Sequence, residues 1–335
     1  MQSSLYPYQL KFKYPFKISH GLRSYTDVVY VKLEHENYTA WGEATLPPYL
    51  SETQQSVIDF ISAFQKSMPS NNIGDWFDKL SNDQSGNMSA KAALDMALWS
   101  LKAQTEGKTI GELLDIEKRG FPLCTYTIGI CTFDEMKLKV DDANNVGFEI
   151  FKIKLNGEND EEMIRNLKKL SSKPFAVDVN QGWQSPIQAI EKINWLAGEG
   201  CLLVEQPMLK NELREMKEVK EKSPLPIFAD ESCQGFSDIE LLKDCFDGVN
   251  IKLMKCGGIT EAFKMIKKAK ELDLKILIGC MSESSVGCSA AAILSSMADY
   301  ADLDGPYLIA NDPFEGMKVE HGRIALHQLR QKIKF

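Results

Sequence analysis

Apolar and polar residues alternate in the manner of strands over the first 45 or so positions, as in Val28-Val29-Tyr30-Val31-Lys32-Leu33, with a turn signal at His35-Glu36-Asn37. Residues 88–104 change period: Ala, Leu and Met recur at helical spacing, with Ser89 as the expected N-cap and Gly107 as the stop. Residues 1–120 therefore read as a small α+β unit. From Pro122 the pattern changes again. Short apolar runs fall at 122–128, 149–155, 174–179, 201–206, 225–229, 248–254, 274–280 and 306–310, most of them separated by Lys- and Glu-bearing amphipathic stretches. Strand and helix alternating at this spacing predict parallel βα units with helices packed outside. Eight runs favour a closed, TIM-like (β/α)8-type barrel over 121–321. A doubly wound sheet is the rival, but no G-x-G-x-x-G follows the first strand of this region. Residues 322–335 are expected to return to the N-terminal unit.

Composition narrows the classes of function. The chain is 44% apolar and 26% charged with a net charge of -8, so no basic block is present to neutralise phosphates, and nucleic acid is not an expected partner. No stretch approaches the ~20 consecutive apolar residues that span a bilayer, and the start lacks the basic and apolar regions of a signal peptide. None of the eight cysteines forms a C-x-x-C pair, which points to reduced thiols and a cytoplasmic location. A homo-oligomer is expected.

Polar residues close the apolar runs in a particular order. Lys152 and Lys154 share one face of the second run; Asp178 and Asn180 end the third, Glu205 the fourth and Asp230 the fifth, and Lys255 follows the sixth. Taken singly, each acid reads as a helix cap or a solvated turn, and K-x-K as an edge strand. Taken together, lysines on either side of three carboxylates would line one mouth of a barrel, where barrel chemistry sits. Three converging carboxylates repel unless a cation lies between them. Oxygen-only donors, without His or Cys, favour a hard ion such as Mg2+.

These residues resemble the enolase superfamily, in particular its muconate-lactonising subgroup. The motifs are Lys152-Ile-Lys154, Asp178-Val-Asn180, Glu205-Gln-Pro207, Asp230-Glu-Ser232 and Lys255-Cys-Gly-Gly258, with Trp41-Gly42-Glu43-Ala44 and the helix at 93–99 resembling the capping domain. The resemblance implies a modified (β/α)7β barrel under an N-terminal α+β capping domain. It also implies one Mg2+ held by Asp178, Glu205 and Asp230. Lys154 and Lys255 would act as acid and base on opposite faces of a substrate carbon, in a 1,1-proton transfer through an enediolate. Lys152 would help stabilise the substrate carboxylate and, with the metal, lower the pKa of the lysine that acts as base; Asn180 would support the metal ligands, and Lys252 would have a supporting role.

Asp302 and Asp304, alone, form a turn with Asx-type hydrogen bonds. Within the resemblance they look like the D-x-D with which dipeptide epimerases hold the substrate ammonium. Glu283 also resembles a family position that binds substrate. The expected reaction is inversion at the C-terminal residue of an Ala-Xaa dipeptide. Loops 16–23 (with His20) and 46–50 would choose between Ala-Glu, met by Arg23, and Ala-Ala or small hydrophobic residues. The alternatives on this scaffold are an N-acylamino acid racemase, an o-succinylbenzoate synthase or a muconate-type cycloisomerase; a non-catalytic metal-binding barrel is a rival of another class.

Overall fold

The computed structural model describes residues 1–18, 21–68, 70–83, 85–117 and 119–335. Three antiparallel strands open the chain: β1 (Gln2–Ile18), β2 (Gly21–His35) and β3 (Tyr38–Leu46). Both faces of β2 are apolar, and the two faces have different partners. Val29, Val31 and Leu33 pack with residues of the following helices, α1 (Gln54–Lys66), α2 (Ile73–Asn82) and α3 (Met88–Glu106). Val28 and Tyr30 point the other way, into a cluster with Val286 and Phe314. Gly42 lets α3 approach β3 closely, since a Cβ there would lie 1.8 Å from Ala93 O. The N-cap of α3 is Asn87 rather than Ser89, whose N–H donates to the Glu52 carboxylate instead. Gly107 ends α3 in the left-handed conformation, as its spacing suggests. A one-turn α4 (Ile110–Leu113) completes this part.

The remainder alternates strand and helix: β4 (Thr125–Ile128), α5 (Phe133–Val146), β5 (Ile150–Lys154), α6 (Asp160–Leu170), β6 (Phe175–Asp178), α7 (Pro186–Gly198), β7 (Cys201–Glu205), α8 (Leu213–Lys222), β8 (Ile227–Ala229), α9 (Ile239–Leu242), β9 (Gly248–Lys252), α10 (Leu253–Cys256), α11 (Ile259–Glu271), β10 (Lys275–Gly279), α12 (Ser285–Ser295), β11 (Tyr300–Asp302) and α13 (Gly305–Leu308). Strands β4 to β11 pair in consecutive order and in parallel. A parallel bridge between Cys124 and Ala301 brings the last strand beside the first, so the sheet closes into a (β/α)8 barrel. Two strand positions differ from the apolar pattern. The eighth strand is Tyr300–Asp302, while 305–308 is helical because Pro306 lies in the first turn, where its missing N–H costs nothing. The sixth strand stops at Lys252, and the chain turns helical at Leu253.

Two carboxylates dock the N-terminal unit onto the barrel. Glu43 of β3 accepts hydrogen bonds from Ser284 N and Oγ and from Gly287 N at the start of α12. Asp95 of α3 accepts from Thr260 N and Oγ1 at the start of α11. Both acids satisfy otherwise orphaned donors at helix N-termini. The C-terminal pieces β12 (Phe314–Glu315), β13 (Lys318–Glu320), β14 (Arg323–Ala325) and β15 (Arg330–Gln331) form two small ladders. Phe335 stacks on Tyr6 with ring centroids 5.0 Å apart, and lies 5.6 Å from Trp41. Among the described residues no helix is long and apolar enough to cross a membrane.

Candidate active site

Parallel register carries three carboxylates to one place. Asp178 ends β6 opposite Glu205, which ends β7, and Asp230 follows β8 directly. Their carboxylate oxygens lie within 4.8 Å of one another, and all three side chains are buried. An oxygen-only, anionic donor set of this kind fits a hard divalent cation such as Mg2+. Four ammonium groups surround it. Lys152 Nζ lies 2.7 Å from Asp302 Oδ2, 2.8 Å from Glu205 Oε2 and 3.2 Å from Asp178 Oδ2. Burial works against the charge on Lys152, but Asp302, Glu205 and Asp178 outweigh it and carry its pKa well above the usual lysine range. Lys154 Nζ lies 2.5 Å from Asp178 Oδ2, and Lys252 Nζ 2.7 Å from Asp230 Oδ2. Burial pushes the Asp178 carboxyl up, while Lys154 and Lys152 pull it down to about 2.

Lys255, expected as a proton-transfer group, is placed differently from Lys252. It sits on α10, and its ammonium donates to Asp230 O (2.6 Å), Asp230 Oδ1 (2.7 Å) and Asn250 O (2.9 Å), which uses all three protons. Lys252 ends the strand itself and makes one such contact, with Asp230. The two lysines are three residues apart across a strand-to-helix switch, which the apolar run 248–254 conceals.

Asp302 ends β11 and accepts from Thr125 Oγ1 at 2.6 Å besides pairing with Lys152. Asp304 accepts from Thr127 N at 2.5 Å, and burial followed by the charge of Asp302 raises its pKa to about 7. Both line a cavity of about 250 Å3 whose wall also carries Asp230 of the triad, Lys154, Lys252 and Lys255. That volume lies just below the range of roughly 300 to 1,000 Å3 usual for ligand sites. Phe16, Arg23, Tyr49 and Leu50 of the N-terminal unit form one wall; residues 19 and 20, and so His20, lie outside the described residues. The Arg23 guanidinium stands 5.6 Å from the Phe12 ring and 5.9 Å from the Tyr49 ring, and its Nη1 is buried with no hydrogen-bond partner among the described residues. Burial lowers its pKa. Asn180 lines the cavity; its N–H donates to Asp178 Oδ1 and its Nδ2 to Glu231 Oε1.

Glu283 does not reach the substrate cavity. Its side chain is fully buried and folds back so that Oε1 accepts from Met281 N at 2.7 Å. Burial, then the neighbouring Glu43, raises its pKa to about 8. Met281 and Ser282 line the cavity in its place. Two buried carboxamides escaped the sequence reading. Asn250 donates Nδ2 to Glu205 Oε1 at 2.9 Å, in space left by Gly279, where a Cβ would lie 2.5 Å from Asn250 Oδ1. Gln206 bonds across to the chain around Asp230.

A capped parallel barrel with these acids and lysines at the C-terminal ends of its strands defines the class. The chain belongs to the enolase superfamily: residues 4–115 match the mandelate racemase / muconate lactonizing enzyme N-terminal domain and residues 135–329 the enolase C-terminal domain-like family. It is 40% identical over 334 residues to an L-Ala-D/L-Glu epimerase of Bacteroides thetaiotaomicron, covering 98% of this chain and 86% of that protein. Its structure resembles a dipeptide epimerase of Enterococcus faecalis complexed with Mg and L-Leu-L-Tyr, with a TM-score of 0.89, 28% identity and coverage of 99% and 98%. It also resembles a substrate-liganded L-Ala-D/L-Glu epimerase of Bacillus subtilis, with a TM-score of 0.90, 27% identity and coverage of 98% and 96%.

Proposed function

We propose that this chain is a Mg2+-dependent dipeptide epimerase, an isomerase that inverts the α-carbon of the C-terminal residue of an Ala-Xaa dipeptide, with glutamate as the preferred Xaa. The observation that carries the reading is one cavity holding Lys154 and Lys252 on either side of the acidic triad, with Asp302 and Asp304 beside them. Asp178, Glu205 and Asp230 would hold Mg2+. The chemistry that ion would supply is positive charge, which would stabilise the anion developing at the substrate carboxylate.

The protein's own groups do the rest. Lys154, from β5, and Lys252, from β9, flank the triad by strand order, so they address opposite faces of the α-carbon. One takes the α-proton as a neutral amine, the other returns a proton as ammonium, and the configuration inverts. We assign the second role to Lys252 rather than Lys255, because the three bonds of Lys255 fix it against backbone and Asp230. Lys152 stays an ammonium among its carboxylates and meets the substrate carboxylate. Asp302 and Asp304 receive the substrate ammonium by charge-assisted hydrogen bonds. Nη1 of Arg23, buried and without a partner among the described residues, suits a side-chain carboxylate, which favours glutamate over alanine. The paired ends of β1 and β2 that carry Phe16 and Arg23, with the segment that carries Tyr49, would cover the mouth and limit water.

Chiral chromatography of L-Ala-L-Glu incubated with the protein and Mg2+ tests the reading. Conversion to L-Ala-D-Glu that EDTA stops is the expected result. Racemisation of N-acyl-glutamate without conversion of any Ala-Xaa dipeptide would transfer the activity to the N-acylamino acid racemase class.

A further inference from the structure

Gln206 follows Glu205 directly and is fully buried, with a backbone φ of +36°, the left-handed region that residues other than glycine rarely adopt. Its carboxamide uses every bonding position it has. Oε1 accepts from Asp230 N at 2.9 Å and from Ser232 N at 3.1 Å. Nε2 donates to Met208 O at 3.0 Å and to Ser232 Oγ at 2.9 Å. The backbone joins in: Gln206 N donates to Phe228 O, and Gln206 O accepts from Gln181 N, both at 2.9 Å. One residue thus grips the segments that carry all three acids: it neighbours Glu205, bonds the peptide N–H of Asp230, and ties the loop that leaves Asp178.

The chemistry requires glutamine. Two acceptor positions on one atom and two donors on the other match a carboxamide; glutamate has no donor for Met208 O, methionine has neither donor nor a strong acceptor, and asparagine is one methylene short. We propose that Gln206 is a positioning residue of the cation site, setting the placement of the Asp230 carboxylate relative to that of Glu205. The cation never touches it. Its effect is exerted through the peptide at Asp230, in the way that groups behind metal ligands orient them.

This inference rests on the cation assignment above and is tested without substrate, by calorimetric Mn2+ titration and the Mn2+ electron paramagnetic resonance spectrum of the folded full-length chain. Gln206→Glu and Gln206→Met are expected to weaken Mn2+ binding roughly 10–100-fold, with an altered spectrum of the bound ion. Ser232→Ala removes only one of the four carboxamide bonds; it keeps the inference testable if the Gln206 variants do not fold, and an affinity about threefold weaker is expected. A purely structural role would lower the melting temperature and leave affinity and spectrum unchanged, and that result in a folded Gln206 variant, or in Ser232→Ala if neither folds, overturns the proposal. Absence of Mn2+ binding to the unsubstituted chain would overturn the cation assignment, and the role of Gln206 with it, before any variant is compared.

Discussion

Lys154 and Lys252 are bound by the outer two members of one carboxylate triad: Lys154 Nζ lies 2.5 Å from Asp178 Oδ2, and Lys252 Nζ lies 2.7 Å from Asp230 Oδ2. In the proposed reaction each lysine addresses one face of the substrate. Lys154→Ala and Lys252→Ala should each lower kcat for epimerisation by about 10²–10⁴-fold, the range associated with general acid–base groups. Equal activity of Lys252→Ala and the unsubstituted enzyme, with loss in Lys255→Ala, would return the role to Lys255.

Arg23 brings to the cavity wall a buried donor that has no hydrogen-bond partner among the described residues. Arg23→Met should raise KM for L-Ala-L-Glu by roughly 10–100-fold, the usual worth of a hydrogen bond to a charged partner, and change KM for L-Ala-L-Met little. Parallel KM measurements on the two dipeptides check this. Equal effects on both would remove Arg23 from side-chain recognition.

Asp304 links substrate affinity to pH. Its carboxyl, raised to about 7 by burial and by Asp302, must be ionised to meet an ammonium. Protonation below that value weakens binding, and the substrate ammonium itself is lost above about pH 8, so KM for the dipeptide should be roughly fivefold higher at pH 6 than at pH 7.5 under saturating Mg2+. Asp304→Asn should raise KM at both pH values and flatten the profile.

Glu283 couples stability to pH in the opposite sense from a salt-bridged acid. Its folded pKa, about 8, lies above the ordinary 4.5, so the folded state holds the proton more tightly. The stabilisation linked to that proton is complete below pH about 4.5 and is lost progressively as pH rises to and through about 8. Glu283→Gln mimics the protonated form. Its melting temperature should gain on the unsubstituted protein between pH 5 and 8, by about 2 °C or more at the upper end. Thermal scans showing a constant difference over that range would contradict the coupling.

Much of this site was legible because barrel geometry gathers the residues that end successive apolar runs. Asp178, Glu205 and Asp230 each interrupt such a run with a charge that a buried strand end cannot carry without partners. The different settings of Lys252 and Lys255 were not legible, because K-x-x-K straddles the point where β9 becomes α10 and an apolar run carries no mark of that switch. The eighth strand, with Ala301 between Tyr300 and Asp302, is too short to register as an apolar run. The turn of the Glu283 carboxylate onto Met281 N depends on local backbone geometry that the sequence pattern does not mark. Asn250 and Gln206 are uncharged residues whose significance lies in partners distant along the chain, and only tertiary structure reveals those.

Deuterium incorporation tests the central claim most directly. L-Ala-L-Glu and L-Ala-D-Glu are incubated separately with the protein and Mg2+ in D2O, and deuterium at the C-terminal α-carbon is followed by mass spectrometry. The account predicts exchange into both epimers, with each converting to the other. No exchange into either epimer, with the divalent cation demonstrably bound, would contradict it.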